Sequence, residues 1–426
     1  MDANLPKPAE TPRPGAAVGA RLAAYRFDTY RTKLPDSKKP MINNLKIYAL
    51  DSNSLVNGMH RDKIIRIKKN KKGNYYLPES LTAYGNIGFA LHSTDRMNAQ
   101  NICGLYSLNL SVNGVPLFGH KMDKLDFSTS RYVNHHVDYP RHKQYNNSFH
   151  KSFLKGNNQL DIYNHSNNGE SFIENDSNYK FNYVAKDYSG NKSTLDFKVK
   201  GDSKKKSYKS KTRIYQRKFS YSESNYFDTA HFSFLMTPNT LYENLNFNYA
   251  NKKDSTFISD VHTLKNANGY VGIQQYFKIF ITPNQIIDSI YQSKICVVKI
   301  NEKGRVSDRG GSYQEGKVTT RIKEFGSFAL KLDTTKPVLE LLSNTDKLTK
   351  NSTLVFKIGD NLSGIQSYNA TMDGEWILTQ YKRKKSRWYI SFSESKNLSK
   401  GTHTLQVEVI DEKGNSNFQS LEVLIK

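Results

Sequence analysis

Only two cysteines, Cys103 and Cys296, occur in 426 residues. Two distant thiols make no disulfide framework, and neither belongs to a pair spaced for zinc, so cysteine chemistry settles neither the fold nor the redox compartment. No apolar run is long enough to span a bilayer as a helix. Hydrolase signatures are missing too: neither His-Glu-x-x-His nor Gly-x-Ser-x-Gly occurs. Gly311-Ser312-Tyr313-Gln314-Glu315-Gly316-Lys317 approaches a phosphate-binding loop. Val318, however, stands where Ser or Thr must hold magnesium, and Val318 to Ile322 alternates like a strand instead of opening a helix. Helical runs rich in Leu, Ala and Glu are nearly absent. What is abundant is aromatic: 27 Tyr and 22 Phe, which bury large areas and suit strands.

Acidic residues are also in deficit, leaving a net charge of +24. An anionic partner would exploit this, whether a wall polymer, a nucleic acid or an acidic membrane surface. Most of the lysine is scattered, as on solvated loops. One cluster is dense: Lys204, Lys205, Lys206, Lys209, Lys211, Arg213, Arg217 and Lys218. It falls between two strand-patterned regions and reads as a linker or hairpin tip able to touch a polyanion. Nucleic acid ranks last among the partners, because only charge favours it and no recognition motif accompanies it.

The chain repeats itself. Cys103-Gly104-Leu105 to Asn113-Gly114 runs in register with Ser363-Gly364-Ile365 to Asp373-Gly374, each an alternating strand closed by a dipeptide suited to a type I′ hairpin. Upstream, Asp36-Ser37-Lys38-Lys39-Pro40 matches Asp333-Thr334-Thr335-Lys336-Pro337. Downstream, alternating strands flank Asp187-Tyr188-Ser189-Gly190-Asn191 in one copy and Asp411-Glu412-Lys413-Gly414-Asn415 in the other. Four matched blocks in one order define two copies of an immunoglobulin-like β-sandwich, residues 36–200 and 333–426, the first enlarged by an insert between Val115 and Tyr179. Residues 201–332 carry strand patterns at Tyr276 to Ile281, Ile295 to Lys299 and Val318 to Ile322 without the landmarks, and read as a separate β domain. Residues 1–35 belong to neither copy, although Ala16 to Tyr25 could form a short helix. The predicted class is all-β: tandem immunoglobulin-like sandwiches with a further β domain between them.

Candidate chemistry is sparse. His135, His136, Asp138 and His142 cluster in the insert, but neighbouring side chains of a strand face opposite ways and no glutamate base accompanies them. A solvated loop is the expectation. Asp187, Gly190, Asp411 and Gly414 read as structural turns, like Asn113, Gly114, Asp373 and Gly374. Asp360-Asn361-Leu362-Ser363-Gly364 and the two Asp-x-x-Gly-Asn turns offer oxygen atoms that calcium accepts, although such side chains more often cap turns. Trp388 alternates with Ile390 and Phe392 and belongs to a core, which leaves Lys382 to Arg387 as a hairpin tip. No catalytic residue, metal ligand or cofactor is assigned.

These landmarks have a family resemblance. Asp36 to Pro40 followed by Ile47-Tyr48-Ala49-Leu50-Asp51 and Val56-Asn57-Gly58 is similar to the segment after the catalytic domain of lysostaphin-like (LytM) zinc peptidases of Bacteroidetes-type bacteria. So are Tyr84-Gly85-Asn86-Ile87-Gly88-Phe89, Met122-Asp123-Lys124, Ser130-Arg131-Tyr132, and Phe325-Gly326-Ser327-Phe328 leading into Asp333. The resemblance implies a cell-envelope location, a peptidoglycan or other anionic polymer partner, and a catalytic peptidase domain to serve. The family's zinc is held by His-x-x-x-Asp and His-x-His; neither pattern occurs among the eleven histidines, so no catalytic role is carried over. Gly19 to Lys33, within residues 14–34, resembles a non-catalytic stretch of leucyl aminopeptidases, and a fused gene would explain both this segment and the lack of a signal peptide. The expected function is a non-catalytic accessory region of a wall endopeptidase. A free-standing envelope adhesin or carbohydrate-binding module is the alternative.

Overall fold

The computed structural model describes residues 36–96, 102–206, 214–267, 272–395 and 398–426. Residues 1–35, with the short helix expected there, lie outside this range, as do Lys209, Lys211 and Arg213. The fold is all-β, and among the described residues the longest helix is the seven-residue Tyr139–Tyr145. The described residues form two compact units. One runs up to residue 224 and includes 238–247 and 266–275; the other comprises 225–237, 248–265 and 276–426.

The first unit is built on a long strand, Thr82–Thr94, which pairs antiparallel with Met41–Ala49. The start of that long strand runs parallel to the end of Lys192–Gly201, through Lys200 opposite Thr82 and Gly201 opposite Ala83. Lys192–Gly201 continues antiparallel into Asn178–Lys186, then Ser107–Val112, then Val115–Lys121. Period-two patterning decides which face is buried. In Lys192–Gly201 every second residue is buried, so Leu195, Phe197 and Val199 point into one core while Asp196, Lys198 and Lys200 face solvent. That core also takes Leu45, Ile47, Phe89, Phe181 and Tyr183, with the Phe89 and Phe181 rings 4.8 Å apart.

The insert corrects one expectation. His135, His136, Asp138 and His142 are buried, with 4%, 2%, 7% and 9% exposure, and do not form a solvated loop. The three histidines sit on two short helices, Val133–His136 and Tyr139–Tyr145. Asp138 caps the second, accepting a hydrogen bond from the Arg141 N–H at 3.2 Å, with Pro140 in the first turn. Capping residue followed by proline is a helix-start signal that the strand reading passes over. Beneath the helices lies a small cluster of Met122, Tyr132, Val133, Leu160, Ile162 and Tyr242.

In the second unit one sheet orders Asn225–Asp228, Phe232–Met236, Phe277–Ile281, Lys317–Ile322 and Ser312–Gln314. Ile295–Ile300 pairs with Gly326–Leu332 in another sheet. The C-terminal part is a sandwich of two four-stranded sheets. Val338–Leu341, Thr353–Gly359, Arg387–Ser391 and Thr379–Lys382 make one; Glu375–Trp376, Ile365–Met372, Gly401–Asp411 and Ser416–Ile425 make the other. Trp388 and Phe356 fill the space between with Ile390, Val407 and Val409, and Arg383–Lys385 turns the hairpin between Lys382 and Arg387.

Candidate functional site

The repeat blocks meet in space through the same hydrogen bonds in both copies. In the first, Asp187 Oδ1 accepts from the Asn191 N–H and Oδ2 from its side-chain amide, both at 2.8 Å. That amide also donates to the Asp36 carbonyl at 2.9 Å. In the second, Asp411 accepts from the Asn415 N–H at 2.8 Å and from its amide at 2.7 Å, and the amide donates to the Asp333 carbonyl at 2.9 Å. The asparagine therefore ties the closing turn to the leading aspartate of its own copy. Gly190 and Gly414 complete these turns at φ of 91° and 71°.

The hairpins correspond as well. Val112 pairs with Val115 and Met372 with Glu375, leaving Asn113-Gly114 and Asp373-Gly374 as two-residue loops. All four residues have positive φ, 50° and 85° in the first loop, 52° and 83° in the second. Asn113 Oδ1 accepts from the Lys180 N–H at 2.9 Å, and Asp373 Oδ1 from the Thr404 N–H at 2.8 Å. Asp373 also faces His403 Nδ1 at 2.6 Å, and this hydrogen bond raises the imidazole pKa.

Each network surrounds a group of three carboxylates. Asp36, Asp95 and Asp187 each place an oxygen within 4.8 Å of the others; Asp333, Asp360 and Asp411 do the same. Asp95, Asp187, Asp333 and Asp411 are buried. Burial, then the charges of Asp187 and Asp36, push the Asp95 carboxyl up to about 6. In the second copy Asp360 Oδ2 accepts from the Leu362 and Gly364 N–H groups at 2.9 and 2.8 Å, and Asp333 Oδ2 from the Ser363 N–H at 3.0 Å. Asp95 is the member that sequence comparison misses, because Asp95 precedes Cys103 by more residues than Asp360 precedes Ser363.

A different donor set lies in the insert region. His120, at the end of Val115–Lys121, His136 on the short helix and His150 on Phe149–Lys151 bring ring nitrogens within 4.8 Å of one another. His136 Nε2 is 3.1 Å from His150 Nδ1, and His136 Nδ1 is 3.1 Å from the Tyr163 hydroxyl. Neither nitrogen of His120 has a hydrogen-bond partner. Burial is the main reason all three are depressed, His120 to about 3 and His150 to about 4. Three neutral imidazoles, one oriented by a tyrosine, can hold a borderline ion such as zinc. Short spacings reveal none of this, since the three residues come from separate elements. His135 and His142 are not in this group, and Asp138 instead pairs with Lys46 at 2.6 Å and accepts from the Tyr48 hydroxyl at 2.8 Å.

Of the basic cluster, Lys204, Lys205 and Lys206 are exposed and outside any strand, and Arg217 and Lys218 lie on the exposed part of Arg217–Phe219.

Comparison with known proteins divides the chain. A family model described as a Zu5-like domain matches residues 216–333, and one described as a bacterial Ig-like domain matches residues 342–425. No curated protein matches the sequence. Among solved structures, SGBP-B of the Bacteroides ovatus mixed-linkage glucan utilization locus, in complex with a mixed-linkage heptasaccharide, is 9% identical at a TM-score of 0.15. The alignment covers 80% of this chain and spans 64% of the length of that one. A 1.5-MDa bacterial ice-binding adhesin is 10% identical over 80% of this chain and 90% of that one, at a TM-score of 0.16. The N-terminal eight Ig domains of Down Syndrome Cell Adhesion Molecule are 10% identical over 91% and 61%, at a TM-score of 0.15. No residue role is taken from these likenesses.

Proposed function

We propose that this chain is a non-catalytic binding and spacing region of a bacterial cell-envelope protein, accessory to a lysostaphin-like peptidoglycan peptidase. The repeated module carries the reading. Two copies share the same hairpin, the same turn and the same asparagine lock, so their most repeatable polar groups are engaged in holding the sandwich and are not arranged around a substrate. The bacterial Ig-like match over residues 342–425 supports a module of this kind, and the landmarks from Asp36 to Asp333 support the peptidase association. The polymer would be met by exposed side chains on a rigid β scaffold, with lysines such as Lys204 to Lys206 supplying attraction to an anionic wall.

One observation favours a free-standing carbohydrate-binding module instead. Trp376 is 65% exposed on the edge strand Glu375–Trp376, a position from which an indole can stack on a sugar ring. Co-sedimentation of the full chain with purified sacculi, set beside a neutral-glycan array, separates the two. Retention on sacculi is expected. Retention on one neutral glycan, abolished by Trp376→Ala, would replace the first reading with the second. Binding to neither would remove both.

A further inference from the structure

We propose that Asp36, Asp95 and Asp187 form one calcium site, and Asp333, Asp360 and Asp411 an equivalent second one.

Acidic clusters are common, and three nearby carboxylates alone would not support this. The independent observation is oxygen atoms with nothing to bind. Asp95 is 5% exposed and Asp333 2%, and Oδ1 of each is buried without a hydrogen-bond partner; Asp360 Oδ1 is the same. A buried, unpartnered carboxylate oxygen is costly, and folded proteins rarely keep one unless an ion or water meets it. Here each copy keeps at least one, at the same place in the module. Among the described residues no lysine, arginine or histidine forms an ion pair with any of the six. Lys413 lies two residues after Asp411 and the Lys294 carbonyl accepts from the Asp333 N–H, but the ammonium groups of Lys413 and Lys294 donate to the carbonyls of Gly311 and Lys413 at 2.9 and 2.8 Å.

The donor type selects the ion. Carboxylate oxygens without nitrogen or sulfur suit a hard cation, and calcium accepts such oxygens at about 2.3–2.6 Å. Ligands on opposite sides of that sphere are roughly 4.8 Å apart, and the three carboxylate oxygens of each group all lie within 4.8 Å of one another, close enough to share one such ion. Magnesium, at about 2.0–2.1 Å, demands strict octahedral geometry and sheds its water reluctantly, so it suits a site of several fixed protein oxygens less well. The remaining positions would be filled by carbonyl oxygens and water.

The second copy also shows what the ion would do. The Asp333 N–H donates to the Lys294 carbonyl at 2.9 Å, and Asp333 is followed directly by the C-terminal sandwich. An ion joining Asp333 to Asp360 and Asp411 would fix the direction in which that sandwich leaves the preceding sheet. Asp36 likewise leads directly into the first strand, Met41–Ala49. Calcium would then act as a stiffener at the head of each module.

Calcium titration of the full chain, dialysed against chelator and then chelator-free buffer, gives the test by calorimetry and by melting temperature. Two equivalents and a rise of several degrees are expected, with magnesium giving less of a rise at equal concentration. Asp95→Asn and Asp333→Asn should each lose one equivalent, and the double variant both. Because asparagine removes a charge crowded against its neighbours, the variants should fold, and circular dichroism checks this. Fewer than two equivalents in the unaltered chain, or a stoichiometry that neither substitution changes, would overturn the proposal. The readout is independent of sacculus binding, so either reading can fail without the other.

Discussion

Gly114 and Gly374 lie at φ of 85° and 83°, where a Cβ is strained by its own backbone. A Cβ added at either position meets nothing within 4 Å, so crowding adds no cost. Gly114→Val and Gly374→Val are therefore each expected to destabilise their own module by about 1–3 kcal/mol. Chemical denaturation of the two variants measures this, and equal stability with the unaltered chain would refute it.

The same scale governs response to acid. His120, His136 and His150 are held neutral in the fold, whereas in the unfolded chain they protonate near 6.5. Between about 6.5 and 4 the unfolded state binds protons that the native state refuses, so these groups lower stability as pH falls. Asp95 acts in the opposite sense. Its raised pKa lets the native state hold a proton down from about 6, and its contribution weakens as pH rises through that value. Comparing His120→Gln with the unaltered chain, in metal-free buffer, isolates the histidine part. The variant should lose less stability between pH 7 and pH 5, and parallel curves would rule the assignment out.

At the scale of elements, the helix Tyr139–Tyr145 depends on Asp138 for more than its cap. Burial opposes ionisation of Asp138, but Lys46 and the Tyr48 hydroxyl outweigh it and hold the carboxyl below its usual value. Lys46 and Tyr48 lie on the strand Met41–Ala49, so one side chain caps a helix and fastens it to the sheet. Removing one member of a buried ion pair typically costs about 3–5 kcal/mol when the other is left uncompensated, but Lys46 also pairs with the more exposed Asp62 at 3.1 Å and keeps that partner. Asp138→Ala, which loses the cap and the bonds from Lys46 and Tyr48, should therefore cost about 1–3 kcal/mol, and a double-mutant cycle with Lys46→Met would report their coupling. A loss below about 0.5 kcal/mol, as for an exposed pair, would show that the helix is held by apolar packing alone.

At the scale of the whole molecule, the net charge of +24 predicts the form of any polyanion binding. Lysines on flexible stems attract an anionic polymer without a fixed geometry, and dissolved salt screens them over about 8 Å at physiological strength. Retention on sacculi should weaken steadily as salt is raised, and alanine at Lys204, Lys205, Lys206 and Lys218 together should lower it further. Retention unchanged at high salt would point to a shaped site.

The sequence determined the class of fold and the repeated module, because both are written in short-range signals. Period-two alternation places Leu195, Phe197 and Val199 on one buried face, and Asn113-Gly114 and Asp373-Gly374 demand tight hairpins through backbone preference alone. At His135 to His142 local polarity suggests an exposed loop, whereas Asp138 and Pro140 start a helix there and packing buries the histidines. The metal-capable groups were decided only by tertiary structure. Asp36, Asp95 and Asp187 are far apart in the chain, as are His120, His136 and His150, and no local rule links them. Strand pairing and chain reversal bring such residues together, and burial then removes the water that would otherwise satisfy their oxygens and nitrogens.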